Sequence, residues 1–236
     1  MPHQLAKTQP TIVFDLDGTL VDTAPDLIAT LNALFDREGI DPVPFTQARQ
    51  FIGGGARKLI ERGLAAKGRA LSAGEADRLY AVYVSSYEER IAELSRPFPG
   101  VEGALDALAA RGFRLAVCTN KLERLSIKLL DALDMSRRFA AICGQDTFGV
   151  QKPDPRILTA TVEAAGGRMG SALLVGDSAT DIATARAANM PVIAVDFGYT
   201  DTPVARHRPD RLISHYDELP AAVADVIEGA PLAAEP

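Results

Sequence analysis

The chain has 236 residues, of which 47% are hydrophobic and 24% are charged, and it carries a formal net charge of −6 at pH 7. This length and composition are ordinary for a globular protein with one domain and a modest second one. The acidic balance argues against a protein that binds nucleic acid or anionic membranes, since both usually require a clustered basic surface.

The sequence also bears on location. No segment approaches the roughly 20 apolar residues that span a bilayer, and Met1–Lys7 lacks the apolar run of a signal peptide. Cys118 and Cys143 lie in apolar, strand-like runs, as buried structural cysteines do. We therefore expect a cytoplasmic protein that binds neither nucleic acid nor membrane. No feature of the sequence predicts an oligomeric state.

The first strand is predicted at Thr11–Phe14, because an uninterrupted run of β-branched and aromatic residues is typical of a buried parallel strand. Asp15 and Asp17 follow at its carboxyl end, where ligands bind in open α/β sheets. Two carboxylates this close repel each other unless a cation lies between them, and hard oxygen ligands favour Mg²⁺. An ordinary Asp-Gly turn is the alternative interpretation of these residues alone.

Residues 22–95 show helical patterns without a strand-like run, with helices predicted to about Gly39 and over 45–52, 56–67 and 72–94. After Phe98 the chain alternates strands and helices, with strands predicted over 114–118, 140–143, 172–175, 191–195 and 211–213. This alternation predicts a parallel sheet with helices on both faces. The simplest organisation is an all-helical cap domain, residues 22–95, inserted into an α/β catalytic core, residues 1–21 and 96–236.

Polar side chains follow two later strand predictions. Thr119 and Asn120 come after the strand that ends at Cys118, and they can donate hydrogen bonds to a phosphoryl oxygen. A helix-capping pair is the alternative. Asp177, after the strand at 172–175, can approach a cation bound near Asp15, and Asp181 lies one helical turn further on. An N-cap with an acidic first turn is the alternative there, and it does not exclude a metal ligand.

Lys152 precedes a proline-marked helix start, Pro153-Asp154-Pro155. A helix N-terminus is already positive, so a lysine held there requires an anion to compensate both charges. A solvated surface lysine is the alternative.

Four motifs in this order resemble those of the haloacid dehalogenase superfamily. They are Asp15-Leu16-Asp17-Gly18-Thr19-Leu20-Val21-Asp22-Thr23, Thr119-Asn120, Lys152-Pro153-Asp154-Pro155 and Gly176-Asp177-Ser178-Ala179-Thr180-Asp181. The resemblance spans nearly the whole chain and implies a Rossmann-like core, with the first strand central, and a small helical cap. Most members are phosphatases.

The resemblance also implies roles for individual residues. Asp15 would be the nucleophile that forms an aspartyl-phosphate, and Asp17 the general acid and base. The implied phosphate-binding residues are Thr119, Asn120 and Lys152. Mg²⁺ would be held by Asp15, Asp177 and the backbone carbonyl of Asp17, with Ser178 and Asp181 in support.

The predicted cap contains a candidate anion site. Gly53-Gly54-Gly55 precedes a helix that begins near Ala56, so the amides of Gly54 and Gly55 together with Arg57 can bind an anion. A flexible linker followed by a solvated basic pair is the alternative.

Three stretches look like those of phosphoglycolate phosphatases, namely Phe51 to Ile60, the Thr-Asn-Lys run that ends at Lys121, and Phe197-Gly198-Tyr199. This resemblance implies 2-phosphoglycolate, a small anionic phosphate ester, as the substrate. Three alternatives stay open: a phosphatase for another small or sugar phosphate or for pyrophosphate, a sugar phosphomutase, and a non-catalytic binding protein.

Overall fold

The computed structural model describes residues 9–200 and 202–229, so Met1–Lys7 lie outside it. The strands are β1 (Thr11–Phe14), β2 (Val21–Asp22), β3 (Arg96–Pro97), β4 (Arg114–Cys118), β5 (Ala141–Cys143), β6 (Ala172–Gly176), β7 (Val192–Val195) and β8 (Arg211–Ile213). The helices are α1 (Ala24–Arg37), α2 (Phe45–Arg49), α3 (Ala56–Ala65), α4 (Ala73–Glu89), α5 (Val101–Ala110), α6 (Glu123–Ala132), α7 (Pro155–Ala164), α8 (Ala179–Ala187) and α9 (Leu219–Gly229).

Six strands form one parallel sheet in the order β5-β4-β1-β6-β7-β8. The central strand β1 pairs with β4 on one side and β6 on the other, and all four of its residues are buried. Alternate residues of a strand point to opposite faces, and accordingly Ile12 and Phe14 enter one apolar cluster while Val13 enters another. The predicted α/β, Rossmann-like class is confirmed, including the central first strand.

The helices α1 to α4 lie between β2 and β3, which pair with each other antiparallel, Val21 with Pro97 and Asp22 with Arg96. The helical segment is therefore entered and left through one two-stranded ribbon. Two-residue strands carry no periodicity, which is why the sequence predicted only linkers here. The division into core and cap domains at these points stays a prediction.

Within the helical segment, α4 packs on α1, and the hydroxyl of Tyr83 donates to the carbonyl of Leu27 at 3.0 Å. Helix α4 ends at Glu89, before the predicted Leu94. The backbone that follows turns back onto α1, because the buried Asp26 carboxylate accepts hydrogen bonds from the amides of Leu94 and Ser95. No helix among the described residues is long and apolar enough to cross a membrane.

Candidate active site

Three buried carboxylates meet at the carboxyl ends of the central strands. Asp15 follows β1, Asp177 follows β6, and Asp181 lies in the first turn of α8. Each offers an oxygen within 4.8 Å of the others'. The parallel register places Phe14 opposite Val175, so that the residues after these strands arrive side by side. The sheet therefore assembles this cluster from distant parts of the chain.

Asp177 is held on two sides. The hydroxyl of Thr19 donates to its Oδ1 at 3.0 Å, and the amide of Tyr199 donates to its Oδ2 at 2.7 Å. Burial raises the pKa of Asp177 to about 8, and the nearby carboxylates of Asp181 and Asp15 raise it further in the same direction. Without a counter-ion, the carboxylate thus retains its proton well above the ordinary range.

Glycine at position 18 allows the first motif to approach Asp177. Its φ of +87° lies in the left-handed region, and a Cβ there would lie 2.6 Å from Oδ2 of Asp177 and 2.9 Å from the ring of Tyr199. The Asp-Gly turn and the carboxylate cluster are therefore parts of the same arrangement, not alternatives.

Lys152 supplies a positive charge to the cluster. Its Nζ lies 2.8 Å from Oδ1 of Asp15 and 2.5 Å from Oδ1 of Asp181, and the residue is 2% exposed. Burial alone would lower the pKa of Lys152, but the carboxylates of Asp15 and Asp181 raise it above its ordinary value. The structure thus excludes the alternative of a solvated surface lysine. The cap of α7 is Asp154, not Lys152.

The pKa of Asp15 is raised to about 6. Burial is the main cause, the ammonium of Lys152 opposes it, and the carboxylate of Asp181 adds to it. Asp15 therefore still ionises near neutral pH, which suits a nucleophile.

The side chain of Asn120 holds the backbone of Lys152. Its Nδ2 donates to the Lys152 carbonyl at 3.1 Å, and its Oδ1 accepts from the Lys152 amide at 2.9 Å. The sequence predicted phosphate binding for Asn120, and these contacts add a positioning role. Thr119 is buried beside it, and its hydroxyl oxygen accepts from the amide of Lys121 at 3.1 Å.

Asp181 and Ser178 form a capping box at the start of α8. The hydroxyl of Ser178 donates to Oδ2 of Asp181 at 2.5 Å, and the amide of Asp181 donates back to that hydroxyl at 3.3 Å. Oδ1 of the same carboxylate accepts from Lys152. Asp181 therefore satisfies a helix end and orients the lysine at once.

The carboxylate of Asp17 points away from the other three. Its Oδ1 accepts from the hydroxyl of Thr23 at 2.8 Å and lies 2.9 Å from Nζ of Lys121. The predicted role of the Asp17 backbone carbonyl as a metal ligand stays a prediction. The sequence predicts no role for Lys121, although the Thr-Asn-Lys run that ends there resembles phosphoglycolate phosphatases and is the available signal.

A cavity of about 50 Å³ lies between these residues and the helical segment. Asp15, Asp17, Thr119, Asn120 and Lys121 line it from the sheet, and the residues from the helical segment are mostly apolar or aromatic, among them Leu27, Ile52, Leu59, Tyr80, Tyr83, Val84 and Tyr87. At roughly 10–15 Å³ for each water, the volume suits a small ligand.

The three predicted cap residues separate in the structure. Gly55 lines the cavity with φ of +84°, and a Cβ there would lie 3.1 Å from the carbonyl of Asn120. Gly54 and Arg57 line a neighbouring depression, and the exposed guanidinium of Arg57 pairs with Asp77 at 2.6 Å. The structure therefore does not bring Arg57 to the cavity that contains Asp15.

The donor set fits a hard divalent cation. Three carboxyl groups lie together in a buried site, those of Asp15, Asp177 and Asp181. The ammonium of Lys152 is the positive charge in contact with two of them. Carboxylate oxygens are the ligands that Mg²⁺ prefers, and a divalent cation would offset the remaining repulsion.

Residues 12–195 match the family model of haloacid dehalogenase-like hydrolases. The chain belongs to this family. The prediction made from the four motifs, a hydrolytic enzyme of this superfamily, is confirmed.

Individual members of the haloacid dehalogenase-like hydrolases are similar over nearly the whole chain. A phosphoglycolate phosphatase of Mesorhizobium japonicum is 50% identical over 218 residues, which cover 92% of this chain and 96% of that protein. A phosphoglycolate phosphatase of Caulobacter vibrioides is 45% identical over 221 residues, covering 94% and 93%. A crystal structure described as a predicted phosphoglycolate phosphatase from Haemophilus somnus superposes with a TM-score of 0.84 at 28% identity, covering 90% of this chain and 97% of that one.

Proposed function

We propose that this hydrolase is a Mg²⁺-dependent phosphatase that hydrolyses 2-phosphoglycolate through an aspartyl-phosphate on Asp15. The observation that carries the proposal is the position of Asp15. Asp15 directly follows the central strand and lines the cavity, and its carboxylate contacts the buried ammonium of Lys152 at 2.8 Å. A carboxylate that ionises near neutrality beside a fixed cation is suited to attack a phosphate ester.

The metal would be held by Asp15, Asp177 and the backbone carbonyl of Asp17. Mg²⁺ bound there would neutralise part of the charge that repels a phosphate from a carboxylate. Asp181 would act indirectly, because its carboxylate fixes the ammonium of Lys152 and the start of α8.

In the first step an Asp15 oxygen attacks phosphorus in line, the bond from phosphorus to the ester oxygen breaks, and Asp17 gives its proton to that oxygen. In the second step Asp17 takes a proton from water, whose oxygen attacks phosphorus and releases phosphate from Asp15. Lys152, Thr119 and Asn120 would stabilise the negative charge on the transferred group. Thr23 and Lys121 fix the carboxylate of Asp17 at the cavity wall.

The choice of 2-phosphoglycolate is supported by the relatives at 50% and 45% identity, both phosphoglycolate phosphatases over nearly their full length. The small volume of the cavity supports a compact ester. Other small or sugar phosphates, pyrophosphate and the phosphomutase reaction are outcomes of the following test.

The test measures phosphate release from 2-phosphoglycolate, sugar monophosphates and pyrophosphate, with Mg²⁺ and with chelator, and with Asp15→Asn as the blank. We expect the highest kcat/KM for 2-phosphoglycolate, and loss of activity with chelator and in the variant. Preference for another ester would retain the mechanism and refute the substrate. Little release together with activation by a sugar bisphosphate would indicate a mutase.

Retention of configuration at phosphorus, measured with an isotopically chiral ester, is the expected signature of two successive displacements. Inversion would refute the aspartyl-phosphate.

A further inference from the structure

One cationic side chain lines the cavity. Among its lining residues Lys121 is the cationic one, while Asp15 and Asp17 are acidic. Arg57 and Lys58, at the start of α3, do not compete for this place, since both line the neighbouring depression. A substrate with a negative group besides its phosphate therefore meets Lys121 inside the cavity.

Lys121 is arranged as part of a built site. Its side chain is 5% exposed, its Nζ lies 2.9 and 3.2 Å from the two oxygens of Asp17, and it lies 4.5 Å from the centre of the Tyr87 ring. The ring face stabilises the ammonium in this desolvated position. In such a desolvated place, water does little to weaken the attraction between an ammonium and an anion.

Tyr87 carries a second donor. It is 1% exposed, lines the same cavity, and its hydroxyl has no hydrogen-bond partner among the described residues. Burial raises the pKa of Tyr87 well above its ordinary value, so the group is a neutral phenol that can donate. A buried hydroxyl without a partner is unfavourable, and an entering anion would satisfy it.

We propose that Lys121 and the hydroxyl of Tyr87 bind the carboxylate of the substrate, and that they thereby distinguish 2-phosphoglycolate from uncharged phosphate esters. The geometry fits the chemistry of this ester, in which one methylene separates the ester oxygen from the carboxylate. A cation that binds the carboxylate has to lie beside the group that protonates the ester oxygen, and Lys121 contacts Asp17. The inference rests on the proposed function and assigns its substrate recognition to residues outside the four motifs.

The test compares 2-phosphoglycolate with 2-hydroxyethyl phosphate, which has the same ester carbon but a neutral end. In Lys121→Met the preference for 2-phosphoglycolate, as a ratio of kcat/KM values, should fall roughly 10- to 100-fold. The matched control is Lys128→Met, because Lys128 is an exposed lysine of α6 that contacts the backbone of Glu88. The control should retain the preference.

An equal loss on both esters would overturn the proposal, since it would mean that Lys121 only positions Asp17. Loss of the preference in Arg57→Met but not in Lys121→Met would overturn it in favour of the exposed cap cation. A wild-type enzyme without preference for 2-phosphoglycolate would refute the proposed function instead, before any variant is considered.

Tyr87→Phe provides a second variant in case Lys121→Met fails to fold. It removes an unpaired buried hydroxyl, so the folded state should be retained. The KM for 2-phosphoglycolate should rise roughly 3- to 10-fold, as for loss of one hydrogen bond, with the KM for 2-hydroxyethyl phosphate unchanged. An unchanged ratio of the two KM values would overturn the assignment of this hydroxyl.

Discussion

The ammonium of Lys152 lies 2.8 Å from Oδ1 of Asp15, with 2% and 9% of the two side chains exposed. Replacement by methionine would leave the carboxylates of the cluster without this cation. Lys152→Met should therefore lower kcat by roughly 10²- to 10³-fold. Breaking a buried ion pair should also lower the free energy of unfolding by roughly 3–5 kcal/mol. Steady-state kinetics and denaturant titration measure the two effects, and kcat within tenfold of wild type would contradict the first.

Stability of the metal-free protein should fall as pH rises from about 5 to about 8. The native pKa values of Asp15 and Asp177, about 6 and about 8, lie above the ordinary 3.8. Between pH 3.8 and about pH 8 the folded state binds more protons than the unfolded chain. The free energy of unfolding therefore falls as the pH rises over this range. The contribution is fully present below pH 3.8 and lost as pH rises through the native values.

Thermal unfolding with chelator, at pH values from 5 to 8, measures this dependence, with roughly 2–4 °C expected for each kcal/mol. Mg²⁺ should raise Tm more at pH 8 than at pH 5, because it competes with protons for the carboxylates. In Asp177→Asn, the Tm measured with chelator should depend less on pH than in the wild type. A Tm that rises over this range in the metal-free wild type would show that the cluster is not the dominant titrating group.

Gly18→Ala should remove Mg²⁺ binding and activity. The φ of +87° is unfavourable for alanine, and its Cβ would lie 2.6 Å from Oδ2 of Asp177. Gly74→Ala is the matched control, because nothing lies within 4 Å of its Cβ position in α4, where alanine is favoured over glycine. Isothermal titration with Mg²⁺ and thermal unfolding check both variants. Normal Mg²⁺ affinity in Gly18→Ala would contradict the expected clash.

Tyr199→Phe should weaken the connection between the carboxylate cluster and the ribbon. The hydroxyl of Tyr199 donates to Oδ1 of Asp22 at 2.5 Å and accepts from the amide of Ala24 at 3.0 Å, while its own amide holds Asp177. The variant loses the two hydrogen bonds of the hydroxyl and keeps that of the amide. This loss should lower the free energy of unfolding by roughly 1–3 kcal/mol.

Denaturant titration of Tyr199→Phe, with Tyr80→Phe as the control, tests this expectation. Tyr80 is half-buried on α4, and no hydrogen bond of its hydroxyl supports the fold in the part of the chain that the structure describes. Equal stability of the two variants would mean that the Tyr199 hydroxyl contributes nothing.

The sequence predicted the sheet well because each strand leaves a local signal. The run Thr11–Phe14 is apolar throughout, and the structure buries all of it in the centre of the sheet. The clustering of Asp15 with Asp177 also followed from local signals, since each follows a predicted strand and parallel strands share one carboxyl edge. The part of the site at this edge was therefore predictable before the fold was known.

The cavity wall was less predictable, because it depends on contacts between distant segments. Arg57 and Lys121 are both basic residues near a helix start, and nothing local indicates that Arg57 is exposed whereas Lys121 is only 7% exposed. The partner of Lys121, Asp17, is 104 positions away in the chain. The ribbon was unpredictable for the same reason, because β2 and β3 are defined by their pairing with each other and not by a local pattern.

Asp181 connects the folding of α8 to the assembly of the site. One oxygen of its carboxylate closes the first turn of the helix with Ser178, and the other anchors the ammonium that faces the nucleophile. The start of α8 and the ammonium of Lys152 therefore share one side chain. A partly unfolded state in which α8 has melted loses one of the two carboxylates that hold this ammonium, so local melting of the helix also loosens the site.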